Sequence, residues 1–174
     1  MSNYMVEAKS RADLRRLARL LREHLHLDDV LYFPIVELLD VMTELFDDFS
    51  YEIVEDGALP KKVHADTDIR TGHIRIKESV YEGACSGEGR DRMTIAHEIG
   101  HYFTLCFCGF KLTRNFSDAK IITFRDPEWQ AKCFAGELMI PAHRVKGMTE
   151  HQIAELCGVS YDAACVQYKH LLKE

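Results

Sequence analysis

Two histidines four residues apart, with a glutamate after the first, constrain this chain more than any other feature: His97-Glu98-Ile99-Gly100-His101. A helix is expected from Asp91 to about Cys106. Residues four apart on a helix project from one face, so the two imidazoles can bind a single metal ion. Glu98, about 100° further round, can act there as general base toward a water. Ile95, Ile99, Tyr102 and Phe103 gather on the opposite side and give the helix a core-facing stripe. The chain has nine histidines, so the pattern alone arises by chance in roughly a few sequences in a hundred. The competing reading is a pair of polar histidines on a solvated helix face.

Two histidines leave a catalytic site one protein ligand short. The extended motif that adds a third histidine needs Gly at 104 and His at 107, where this chain has Thr104 and Phe107. The remaining source is a carboxylate from a later helix, expected over 127–140. Asp126 suits its cap, Pro127 its first position and Glu128 its first turn. That helix carries Glu128 and Glu137 beside an apolar stripe of Ala131, Phe134, Ala135, Leu138 and Met139. Glu128 borders the stripe and would point toward a neighbouring helix. Glu137 lies farther round, on a more polar side. Glu128 is therefore preferred as third ligand, with simple dipole complementarity as its competing explanation.

His97, His101 and Glu128 would leave the fourth position of a Zn2+ ion open to water. Zinc would acidify that water and polarise a scissile carbonyl, while Glu98 took the proton and passed it to the leaving amine. Such a ligand set also admits manganese or iron. Tyr102, His73 and His143 are candidates for stabilising the oxyanion, and the sequence does not choose among them.

The rest of the chain reads as an α+β protein, mostly helical with a small antiparallel sheet. Helices are expected over Ala8–Leu27 and Pro34–Phe46, on stripes led by Leu14, Leu21, Leu38 and Met42. Arg15, Arg16, Arg19 and Arg22 lie off the first stripe and read as a solvated face. Strands are expected around Tyr51–Val54, Val63–Thr67 and His73–Lys77, with Thr71-Gly72 between the last two. Gly83–Gly89 reads as a flexible loop. It lacks the Lys-Ser/Thr ending of a phosphate-binding loop. Gly109–Arg125 is a long connection with β character at Ile121–Phe124. The tail from Thr149 reads as two short helices around Gly158-Val159-Ser160. The length fits one compact domain with a small appendage, divided as 1–145 and 146–174.

No apolar run approaches the roughly 18 residues of a membrane span, and no secretory signal is visible, so a cytoplasmic location is expected. The six cysteines include no C-x-x-C pair. Cys106, Cys133, Cys157 and Cys165 fall in apolar helical patterns and read as small buried hydrophobes. A net charge of −6 argues against direct nucleic-acid binding. The final helix offers Lys169 but no arginine, and Asp162 near its start would repel phosphate.

The run Met93–Tyr102 resembles the active-site helix of the ImmA/IrrE family of bacterial metallopeptidases. The run Glu128–Pro141 resembles that family's second motif, Glu-x-x-Ala-Asn-x-Phe-Ala-Ala-Glu-Leu-Leu-Met-Pro. The resemblance covers about residues 30–170. Leu105, Lys132 and Gly136 depart from the family pattern. It implies a zincin-like catalytic core, Zn2+, a third ligand at Glu128, and a helix-turn-helix-like ending. It also implies a protein substrate: a helix-turn-helix repressor of a mobile element or stress response. An edge strand, expected to be His73–Lys77, could pair with an extended substrate segment. The alternatives are a DNA-binding regulator and a silent scaffold that binds a repressor without cutting it. The intact Glu98 argues against the scaffold.

Overall fold

The computed structural model describes residues 4–107, 113–114 and 122–172. Helix α1 spans Arg11–His24 and α2 spans Ile35–Leu45. Ser10 caps α1 by accepting from the Asp13 amide, and the Asp13 carboxylate accepts from the Ser10 amide in return, which satisfies two otherwise orphan donors. Leu14, Ala18 and Leu21 face the core as expected, while Arg22 on the same helix is also buried.

Strands β2 (Ser50–Val54), β3 (Ala65–Asp68) and β4 (His73–Lys77) form one sheet in the order β2-β4-β3. This sheet is mixed, which corrects the antiparallel expectation. β3 and β4 form the antiparallel hairpin, from Ala65↔Ile76 to Asp68↔His73, but β2 and β4 run parallel, from Ser50↔His73 to Val54↔Lys77. Direction reverses twice between the first and third strands, so they point the same way. The third then enters between the other two. It follows that His73–Lys77 is the central strand and not an edge. β3 is the edge that faces the helices of the site. A separate short ribbon, β1 (Tyr4–Met5) with β5 (Thr113–Arg114), was not foreseen.

The sheet leads into α3 (Glu78–Cys85), where the sequence had offered a loop at Gly83–Gly89. The helix is anchored at only two positions, Val80 and Ala84, too few to leave a clear periodic signal. Only the turn at Ser86–Glu88 separates it from α4 (Gly89–His101). α4 ends five residues before the expected Cys106 and passes into a π-helical turn, Tyr102–Phe107. Thr104 Oγ1 donates to the Gly100 carbonyl at 2.8 Å and competes for a helical acceptor. Thr123–Arg125 is a single 3-10 turn and not a strand, while Cys108, Gly109 and Ile121 lie outside the described residues.

Helix α5 (Pro127–Met139) packs against both α4 and α1, and the tail follows as α6 (Glu150–Cys157) and α7 (Tyr161–Leu171). Ile74 and Ile76 of the sheet, Ile95 and Ile99 of α4, and Phe134 and Leu138 of α5 are fully buried together. Each such side chain contributes roughly 1.5–3 kcal/mol of transfer free energy. Ile153, Cys157, Val159 and Ala164 of the tail belong to the same core. Gly158 closes α6 with φ of 61°, and a Cβ there would overlap the Tyr32 ring, so only glycine fits the turn.

Candidate metal centre

Helix α4 buries Ile95, Ala96 and Ile99 and turns His97 and His101 the other way, toward a cleft. The two rings lie edge to face with centroids 4.6 Å apart. The carboxylate comes from the start of α5, where the Asp126 side chain accepts from the Glu128 amide at 3.0 Å and sets the first turn. Close approach of the two helices depends on Gly100. A Cβ on that residue would lie 2.7 Å from the Ala131 carbonyl oxygen. With no side chain in the way, Glu128 reaches both histidines. His97 Nε2 is 3.4 Å from Glu128 Oε2, and His101 Nε2 is 3.3 Å from Oε1.

These three ligand atoms all lie within 4.8 Å of one another. Ligands about 2.0–2.1 Å from a tetrahedral ion are separated by roughly 3.3 Å, which the two imidazole–carboxylate separations of 3.4 and 3.3 Å match. The imidazole and carboxylate donors suit such an ion too. The ring nitrogens of His101 and His97 hold the Glu128 carboxyl well below the usual carboxylate range, which keeps it in the anionic form a cation needs. Among the described residues no hydrogen-bond partner meets the buried Nδ1 of His97 or of His101.

Glu98 is 6% exposed, and its Oε2 accepts from Thr67 Oγ1 at 2.7 Å. Thr67 belongs to β3, so the edge strand holds the glutamate from across the cleft. Sequence reasoning missed Thr67. Strand alternation places it on the face of Ala65, but nothing local says that α4 covers that face. The cleft has a volume of about 730 Å³, with Val63, His64, Ile69, Arg70, Thr94 and Leu105 among its walls.

Glu137 departs from its expected place on a polar side. It is buried and accepts from Arg11 and Arg15, each at 2.7 Å. The polar side of α5 at this point is its contact with α1. None of the three oxyanion candidates lines the cleft. Tyr102 is buried and donates to Asp48 at 2.7 Å, and burial together with that carboxylate pushes its pKa up. His73 lies 2.8 Å from Ser50 Oγ on the other face of the sheet. His143 pairs with Asp28 at 3.2 Å in a separate cleft of about 710 Å³ beside α1 and α7.

Two imidazoles and a carboxylate at one point beside an open cleft are a donor set that hydrolytic metal centres use, metallopeptidases among them. Comparison with known families agrees. The family described as the IrrE N-terminal-like domain, a peptidase family, matches residues 53–169, and the chain belongs to it. No match was found among curated proteins.

Proposed function

We propose that this metallopeptidase is a zinc endopeptidase in which His97, His101 and Glu128 hold the ion and Glu98 is the general base. The observation that carries the reading is the meeting of both Nε2 atoms with the Glu128 carboxylate. Zinc held there would supply Lewis acidity, polarising a scissile carbonyl and making a water easier to deprotonate. Glu98 then takes a proton at its carboxylate and returns it to the leaving amine. Its burial beside Thr67 favours a single orientation during that transfer. The outer edge of β3 runs along the cleft and offers main-chain groups to an extended segment.

The substrate proposed is a helix-turn-helix repressor, met in the cytoplasm. That identity rests on the family resemblance. Two features are compatible with it. No described helix is long and apolar enough to cross a membrane, and the five described cysteines are free. A protein partner is favoured over DNA because half of the basic face of α1 is spent inside the molecule, where Arg15 pairs with Glu137 and Arg22 is buried, and exposed Arg19 pairs with Glu23.

Metal content by mass spectrometry tests the centre. About one zinc per chain is expected for the wild type, lost or strongly weakened in His101→Ala and Glu128→Ala. A wild type that takes up no metal after zinc is supplied would remove the enzyme reading.

A further inference from the structure

The chain is acidic overall, at −6, yet the β3 rim of the metal cleft carries positive groups at both ends. Lys62 precedes the strand by three residues, Arg70 follows it by two, and both line the cleft. Arg90, in the first turn of α4, donates from Nη2 to His64 Nε2 across 3.2 Å. That contact brings a third cation to the Lys62 end of the cleft, whose wall includes His64. Two rim anions have partners of their own. Asp66 accepts from the Arg75 guanidinium at 2.9 and 2.6 Å. Asp68 accepts from the Arg70 amide at 2.9 Å, and its 3.5 Å pair with the Arg70 guanidinium is exposed and screened by water, which leaves that cation open to a second anion. Between the two ends the walls set apolar Val63, Ile69, Leu105 and Pro127 around the histidine and glutamate side chains of the centre.

The register of β3 shows how a ligand would lie. Lys77 N donates to the His64 carbonyl at 3.1 Å, which makes these two a hydrogen-bonded pair. Pairs alternate along an antiparallel ladder, so Asp66 and Asp68 also turn their main-chain groups toward β4. Ala65 and Thr67 turn theirs outward, to the open edge. An extended segment joined to those groups runs from the Lys62 end to the Arg70 end and passes Thr67, which holds the Glu98 carboxylate.

We propose that the cleft selects an extended peptide segment with an apolar centre and acidic side chains at both ends. Lys62 and Arg90 read one end, and Arg70 reads the other. The proposal rests on the peptidase reading for the nature of the ligand, and it adds the charge class of the substrate. Rim cations of this kind raise the association rate of an oppositely charged partner and make it salt-dependent.

The test uses the full zinc-loaded chain and two fluorescein-labelled peptides. Both have the same short apolar centre, flanked on each side by two glutamates in one and two lysines in the other. Fluorescence anisotropy should show the glutamate peptide binding about tenfold tighter, given a few exposed ion pairs each worth a small factor. Its affinity should fall as salt rises. The double variant Lys62→Glu, Arg70→Glu should reverse the preference. Equal affinities, a preference for the lysine peptide, or no binding of either would overturn the proposal. Mass spectrometry of the same mixtures separates the two readings. Tight binding of the glutamate peptide without a cut keeps the charge selection and removes the endopeptidase. Cutting of both peptides with no charge preference keeps the endopeptidase and removes the charge selection.

Discussion

Thr67 links the strand edge to the proposed base. Its side chain donates to Glu98 Oε2 at 2.7 Å, and its main chain faces the open side of β3. A hydrogen bond to a charged group contributes about 1.5–3 kcal/mol. Thr67→Val, which keeps the shape and removes the hydroxyl, should therefore lower kcat on casein by roughly tenfold to a hundredfold. KM should stay within about twofold and zinc content should not change, because the loss falls on proton transfer and not on binding. Thr67→Ser should restore the rate. An unchanged kcat in the valine variant would remove the positioning role. The thiols give a second prediction at this scale. Burial pushes Cys106, Cys133 and Cys157 up to about 11, from an ordinary value near 9. The folded chain then holds these protons where the unfolded chain releases them, so stability should fall between about pH 9 and 11. Urea unfolding across that range measures the slope. The sequence reading of cysteines as small buried hydrophobes holds for Cys133 and Cys157, whereas Cys106 and Cys165 are only partly buried.

Among the elements, the contact of α4 with α5 decides whether the three ligand atoms meet. The sequence showed both helix starts and the face on which each ligand lies, since spacing and caps are local. It did not show the role of Gly100, whose missing side chain matters only because Ala131 lies opposite. Gly100→Ala should push the helices apart. Overpacking of this kind costs about 1–3 kcal/mol, and the displaced Glu128 should weaken zinc binding by at least about tenfold. Thermal unfolding and zinc titration measure the two effects separately. If zinc affinity were unchanged, the glycine would have no part in the site. The mixed sheet was hidden for a related reason: a strand's composition carries its period but not its neighbour. α3 was hidden because its buried face is only Val80 and Ala84.

For the molecule as a whole, buried cations tie distant segments to α4 and α5. Arg92 of α4 donates to the Gly158 carbonyl at 2.8 Å and the Phe33 carbonyl at 2.6 Å, and it stacks over Tyr32 at 3.7 Å. One side chain thereby joins the tail, the α1–α2 connection and α4. Arg22 donates from Nη1 to the Leu138 carbonyl at 2.6 Å, where α5 ends. Glu137 receives Arg11 and Arg15 and so joins α5 to α1. Glu137→Ala would remove the buried carboxylate that two partly buried arginines share. The expected loss is about 2–4 kcal/mol, at the lower side of a buried pair because both arginines keep some solvent. Denaturant unfolding measures it, and a loss under about 0.5 kcal/mol would show the pairs to be idle. The reading of the α1 arginines as a solvated face holds for Arg16 and Arg19, which are exposed, and fails for Arg15 and Arg22, because a charge on a helix finds its partner only after another helix is placed.

The sequence by itself determined the helix that bears His97, Glu98 and His101, the capped start that carries Glu128, and the three strands. Each depends on residues close together in the chain, whose spacing and capping chemistry act before any fold exists. The tertiary structure decided the rest. It set β4 in the middle of the sheet and β3 at the open edge, and it brought Thr67 to Glu98 across 31 residues. It turned Glu137 and Arg22 inward, and it drew Tyr102, His73 and His143 away from the cleft. These outcomes depend on which surfaces meet, and a one-dimensional pattern of polarity does not contain that information.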